Sequence, residues 1–138
     1  MILNLRVDHK IADIQSMENI SKQIDDLFDE LQEKYSINEY VEISTCNRKE
    51  YYIHNDYISP DDDLLSHENQ SIIIEYGDAS VMHLLRMTSG LESMIVGEDQ
   101  ILGQVKDSKA KATKERHCGK SLDLIFTKAI HVGQVVRN

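Results

Sequence analysis

The residues best suited to chemistry lie in the stretch VEISTCNRKEYYI, 41–53, which holds one of only two cysteines in 138 residues. Cys46 stands between Thr45 and the Asn47-Arg48 pair. A thiol is a nucleophile only as thiolate, and at an ordinary pKa of about 8.5 only a small fraction is ionised at neutral pH. A guanidinium two residues away, with turn amides pointing at the sulfur, would favour the charged form. The competing reading is a small buried hydrophobe, which is what most free cysteines are. On spacing alone the two readings stand level.

Cys118, between His117 and Gly119, has no comparable setting and reads as structural or incidental. Two cysteines, and six histidines with no HxH or HxxxH pattern, leave too few ligands for a metal site. His83 lies among apolar neighbours in SVMHLLRMTSG and reads first as a packed core histidine. The stretch TSGLESMIVGEDQILGQ, 88–104, is the second unusual one, because Gly90, Gly97 and Gly103 interrupt a helical pattern. Within it SMIVGEDQ reads as an irregular loop entering a helix whose first turn is Glu98-Asp99-Gln100. Acidic residues there suit the helix dipole. Serine and glutamine side chains at such a junction could also hydrogen-bond a polar ligand, and glycines would let the backbone approach it. Neither GxxxxGK[ST] nor GxGxxG occurs.

These residues need elements to position them. ILNLRV, 2–7, alternates as a strand with Leu3, Leu5 and Val7 on one face. From Ser16 to about Tyr35, Met17, Ile20, Ile24, Leu27, Phe28 and Leu31 recur every three or four residues, which predicts an amphipathic helix with Ser16 as N-cap. EYVEIS and KEYYIH alternate as two strands around a short polar link, a hairpin with residues 45–48 as its turn. Asn47 is a type that tolerates the left-handed conformation of tight turns. Val41 and Ile43 are expected to share the core face with Tyr51 and Ile53. Residues 55–70 hold the only proline and an acidic cluster, a surface loop with one helical turn, and SIIIEY is a further strand. Helices follow near 79–89, 98–116 and from Lys120 onward, with Gly119 as the stop between the last two.

The fold expected is therefore α+β: a mostly antiparallel sheet of about four strands, of the ferredoxin-like split βαβ kind. Its helices lie on one side, and it ends in a long C-terminal helix. The size suits one domain. The last segment, LDLIFTKAIHVGQVVRN, runs on in mid-pattern with no stop signal, as a helix that continues would. No apolar run is long enough to span a membrane. Sparse, distant cysteines and the lack of a leader-like start point to a reducing, cytoplasmic setting.

The net charge of −9 argues against a general nucleic-acid binder, yet it is unevenly spread. Residues 1–80 carry 6 Lys and Arg against 18 Asp and Glu, whereas residues 104–120 carry 6 against 2. That basic segment could touch phosphate, or be the solvated face of a helix.

Together STCNRKE and SGLESMIVGEDQILGQVKDS resemble the two signature stretches of glutamyl-tRNA reductases, in the right order and separation. The resemblance covers residues 40–138 well. Toward the N-terminus DHKIADI keeps only His9-Lys10 of an HKTAP-like family segment. It implies that residues 1–138 are the N-terminal catalytic domain, with 120–138 starting a helix that links to NADP-binding and dimerisation domains absent from this chain. It implies Cys46 as nucleophile, attacking the ester of glutamyl-tRNA to form an enzyme thioester. NADPH, bound by a domain not present, then reduces the thioester to glutamate-1-semialdehyde for tetrapyrrole synthesis. By the same resemblance His83 supports catalysis, and Thr45, Asn47, Arg48, Ser93, Glu98, Asp99, Gln100 and Gln104 bind substrate. Partners implied are glutamyl-tRNA, a second copy in the full-length homodimer and the downstream aminomutase. No metal is implied. The contrasting reading is a non-catalytic ferredoxin-like module that binds RNA or a small ligand, its cysteine merely packed.

Overall fold

A computed structural model describes residues 1–8, 14–66, 71–91 and 100–137. The chain order is β1 (Ile2–Asp8), α1 (Ile14–Tyr35), β2 (Tyr40–Ser44), β3 (Arg48–His54), a 3-10 turn (Asp63–Leu65), β4 (Ile73–Tyr76), α2 (Asp78–Ser89), α3 (Ile101–Lys114) and α4 (Lys120–Arg137). The strands form one sheet in the order β2-β3-β1-β4, and every neighbouring pair is antiparallel. That is the expected α+β architecture with the strand order of a split βαβ unit, and the last helix closes the chain.

The helices, however, do not lie on one side. Alternation along β1 and β3 sends Leu3, Leu5, Val7, Tyr51 and Ile53 to one face, where α1 covers them with Met17, Ile20, Ile24, Phe28 and Leu31. Val41, Ile43 and Tyr52 belong to the other face, under Leu84 and Met87 of α2, Ile101, Val105 and Ala112 of α3, and Leu122, Phe126 and Ala129 of α4. Val41 and Ile43 therefore do not share a face with Tyr51 and Ile53. The register pairs Val41 with Tyr52 and Ile43 with Glu50, and directly opposed residues point the same way. Covering both faces hides nearly all of β3: from Arg48 to Ile53 every residue is buried.

Helix ends differ from the expected ones in instructive ways. α1 begins at Ile14, so Ser16 lies inside its first turn rather than capping it. α2 stops where Gly90, at φ 88°, turns left-handed and the Leu91 N–H reaches the Arg86 carbonyl at 2.8 Å. α3 ends the same way, but with Arg116 at φ 67° in the glycine position and the His117 N–H bonded to the Ala112 carbonyl at 2.9 Å. Gly119 thus does not stop α3; it starts α4. A Cβ there would lie 2.4 Å from Cδ of Glu39, whose Oε1 accepts the Leu122 N–H at 3.0 Å. A carboxylate from the root of β2 caps a helix more than eighty residues away in the chain.

Candidate active site

The hairpin between β2 and β3 has a three-residue loop, Thr45-Cys46-Asn47. Thr45 closes it twice over. Its N–H bonds to the Arg48 carbonyl at 2.9 Å, and its Oγ1 accepts the N–H groups of Asn47 and Arg48, each at 3.2 Å. A threonine side chain standing in for a backbone acceptor is a common way to fix a turn. Asn47 is not among the positive-φ residues, so no left-handed asparagine is needed. Cys46 is exposed at the tip, a free thiol open to solvent. It lines a cleft of about 430 Å³ together with Thr45 and with Met17, Glu18, Ser21, Lys22 and Asp25 of α1.

Arg48 is not part of the turn. It is the first residue of β3 and is 1% exposed, its Nη1 donating to Oε2 of Glu50 at 2.8 Å. Expected to favour the thiolate and to meet a substrate carboxylate, the guanidinium meets one of the protein's own in Glu50. Glu50 is the centre of a polar hub within the covered face. Its carboxylate also accepts from Asn4 Nδ2 at 3.3 Å and from the Tyr52 hydroxyl at 3.0 Å, and His83 Nε2 lies 3.1 Å from each of its oxygens. Burial pushes the Glu50 carboxyl up, but the imidazole and the guanidinium pull harder and hold it down at about 2. His83 is thus buried, as its apolar surroundings suggest, yet its ring is tied to the strand that leaves the cysteine loop.

α3 packs along β2 on the covered face. Ser108, Lys111, Ala112 and His117 pack beside Tyr40 and Glu42, and the His117 ring stacks on Tyr40 with centroids 3.9 Å apart. Gln104 is half-buried on α3 and Gln100 is exposed just before it. Of the residues singled out by sequence, Thr45, Cys46 and Asn47 form the hairpin tip, and Arg48 and His83 meet at Glu50. Ser93, Glu98 and Asp99, like His9 and Lys10, lie outside the described residues.

Two residues that the fold brings into this region escaped the sequence reading, Glu50 at the buried hub and Lys22 on the cleft beside Cys46. Glu50 stands inside STCNRKE, but a glutamate between lysine and tyrosine reads as solvated. The usable signal was the every-second-residue run Arg48, Glu50, Tyr52 on one strand face. Lys22 sits on the polar side of α1 and nothing local connects it to Cys46. Among the described residues no cluster of His, Cys, Asp and Glu could hold a metal, and no helix is long and apolar enough to cross a membrane.

Residues 5–138 match the family model described as glutamyl-tRNAGlu reductase, N-terminal domain. The chain is 80% identical over 138 residues to a glutamyl-tRNA reductase of Methanobrevibacter smithii, an alignment covering 100% of this chain and 35% of that protein. It is 47% identical over 137 residues to a glutamyl-tRNA reductase of Methanothermobacter marburgensis, covering 99% and 33%. The chain thus spans about a third of the length of the curated relatives it matches. Among solved structures it resembles the glutamyl-tRNA reductase from Methanopyrus kandleri, with a TM-score of 0.79 at 28% identity over 99% of this chain and 34% of that one. By sequence and by fold, the chain belongs to the glutamyl-tRNA reductase N-terminal domain family.

Proposed function

We propose that residues 1–138 are the acyl-accepting part of a longer glutamyl-tRNA reductase in tetrapyrrole synthesis, and that Cys46 takes the glutamyl group from its tRNA. The sulfur bonds to the ester carbonyl carbon and the carbon–oxygen bond to the ribose breaks. The thiol proton ends on the freed ribose hydroxyl. The observation that carries this reading is the exposed Cys46 thiol on a loop that Thr45 closes with three hydrogen bonds. A nucleophile must be accessible and still held in place. Thr45, Asn47, Gln100 and Gln104 supply donors and acceptors for the glutamyl arm in this proposal, Gln100 and Gln104 from the α3 side of the hairpin. Ser93, Glu98 and Asp99 join them in this proposal by sequence alone.

Arg48 and His83 act as positioning residues. Glu50 binds both, so the strand that follows Cys46 is fixed to α2 and cannot tilt without breaking the buried contact between Glu50 and His83. NADPH is the reductant this family reading calls for, but the described residues do not fit it. At the β4–α2 junction a single Gly77 precedes Asp78, and an acidic first turn would repel a pyrophosphate. Hydride delivery is assigned to another part of the full-length protein, and no reduction step is derived from this chain. The same reading gives the full-length reductase a second copy as dimer partner and an aminomutase to receive the reactive aldehyde. A reducing cytoplasm suits its two free thiols.

The test is intact mass after incubation with glutamyl-tRNA. Wild-type chain should gain one glutamyl group, lost on hydroxylamine treatment, and Cys46→Ser should gain none that hydroxylamine removes. An identical adduct on Cys46→Ser, or none on wild type, would overturn the assignment.

A further inference from the structure

The cleft that Cys46 shares with α1 has no part in the chemistry assigned so far. It lies on the side of the hairpin away from α3, since Met17 belongs to the core beneath α1 and Gln104 to a helix on the opposite face. An acyl ester under attack carries two arms that diverge from the carbonyl carbon: the acyl group and the leaving group. With the glutamyl arm assigned to the α3 side, as proposed above, this cleft is left for the leaving arm. We infer that the cleft between α1 and the hairpin tip seats the terminal ribose–phosphate arm of the carrier RNA, with Lys22 on the phosphate. The inference rests on Cys46 being the acyl acceptor.

The lining suits that arm. At about 430 Å³ the cleft has room for a nucleoside, far more than the short glutamyl chain needs. Met17, 6% exposed, gives an apolar wall against which a base or sugar face can rest. Glu18 and Ser21 are placed to bond ribose hydroxyls, the carboxylate as acceptor and the serine as either partner. Asp25, the carboxylate that would most oppose a phosphate, is already engaged: the Lys49 ammonium lies 2.8 Å from its Oδ1 and the Tyr51 hydroxyl donates to the same oxygen at 2.5 Å. Lys22 is exposed and makes no ion pair among the described residues, so its ammonium remains the cation available to an incoming anion. In a chain this acidic, a cation beside the nucleophile also decides from which side a polyanion can approach.

The experiment compares two acyl donors on one chain. Glutamyl-tRNA carries the ribose–phosphate arm; glutamate α-methyl thioester presents the same acyl group without it. Cys46 acylation is followed by intact mass for wild type, Lys22→Gln and Lys22→Glu. Both variants should accept acyl from the methyl thioester at the wild-type rate. With glutamyl-tRNA, Lys22→Glu should be slower by roughly tenfold, the loss of one charge-assisted contact, with Lys22→Gln in between. The gap between donors should narrow as salt is raised. Equal slowing with both donors would place the glutamyl arm in the cleft and overturn the proposal, as would no change with either. If wild type is acylated by neither donor, the assignment of Cys46 itself fails and this site falls with it. Acylation by the small donor with no dependence of the RNA donor on Lys22 would refute the cleft alone.

Discussion

Replacing Glu50 with Gln keeps the shape of the buried hub and removes the charge at its centre. Five donor contacts converge on that carboxylate: Arg48 on Oε2, Asn4 and Tyr52 on Oε1, and His83 on both. An amide offers one acceptor oxygen. Turned toward Arg48, it presents its NH2 group to the Asn4 donor; turned the other way, it presents that group to a guanidinium. Either way a buried cation loses its anion, a change that costs about 3–5 kcal/mol. The proton linkage through the same contacts gives a figure of the same order. The Glu50 carboxyl falls from an ordinary 4.5 to about 2 on folding, which corresponds to about 3 kcal/mol. Because the folded value is the lower one, this contribution is complete above the unfolded pKa and is lost as pH falls through the folded one. Urea unfolding at neutral pH should show a lower midpoint with an unchanged slope. Wild type should lose stability between about pH 4.5 and pH 2 more steeply than Glu50→Gln. A loss under about 1 kcal/mol at neutral pH, or parallel acid limbs for the two proteins, would refute the hub as the element that fixes β3.

Three further outcomes follow from the same structure. A Cβ on Gly133 would sit 2.6 Å from the Thr88 carbonyl oxygen and 2.9 Å from Leu102 Cδ1, where α4 crosses the end of α2. Gly133→Ala should therefore lower thermal stability, a clash of about 1–3 kcal/mol outweighing the gain in helix propensity. Gly103→Ala, facing open space on α3, should raise stability by about 1 kcal/mol. Brief alkylation at neutral pH should label exposed Cys46 well before Cys118, which is half-buried and whose thiol burial pushes up. Equal labelling, read by peptide mass, would contradict the open tip.

The contrast between Glu50 and Cys46 shows what sequence could and could not reveal. The hairpin was legible because two alternating runs flank a short polar link, and α1 because its apolar residues recur at helical spacing. β3 was not legible as a fully covered strand. Arg48, Lys49 and Glu50 are charged, and charge is ordinarily read as solvent exposure, yet here each is paired inside the fold. Cys46 was found because its residue type is rare and its neighbours carry a recognisable order. Lys22 was missed because only the tertiary fold brings α1 beside the tip. Arg116 was equally hidden, since arginine gives no local sign of a left-handed turn.

Glu39 holds more together than one helix start. Its Oε1 takes the Leu122 N–H, its Oε2 lies 2.8 Å from His54 Nδ1, and its carbonyl accepts the His54 N–H at 3.1 Å. The root of the hairpin and the pivot of α4 are thus one mechanical joint. A substitution at Glu39 would therefore loosen the start of α4 and the base of the hairpin together, and the hairpin is the element that carries the sulfur at its other end.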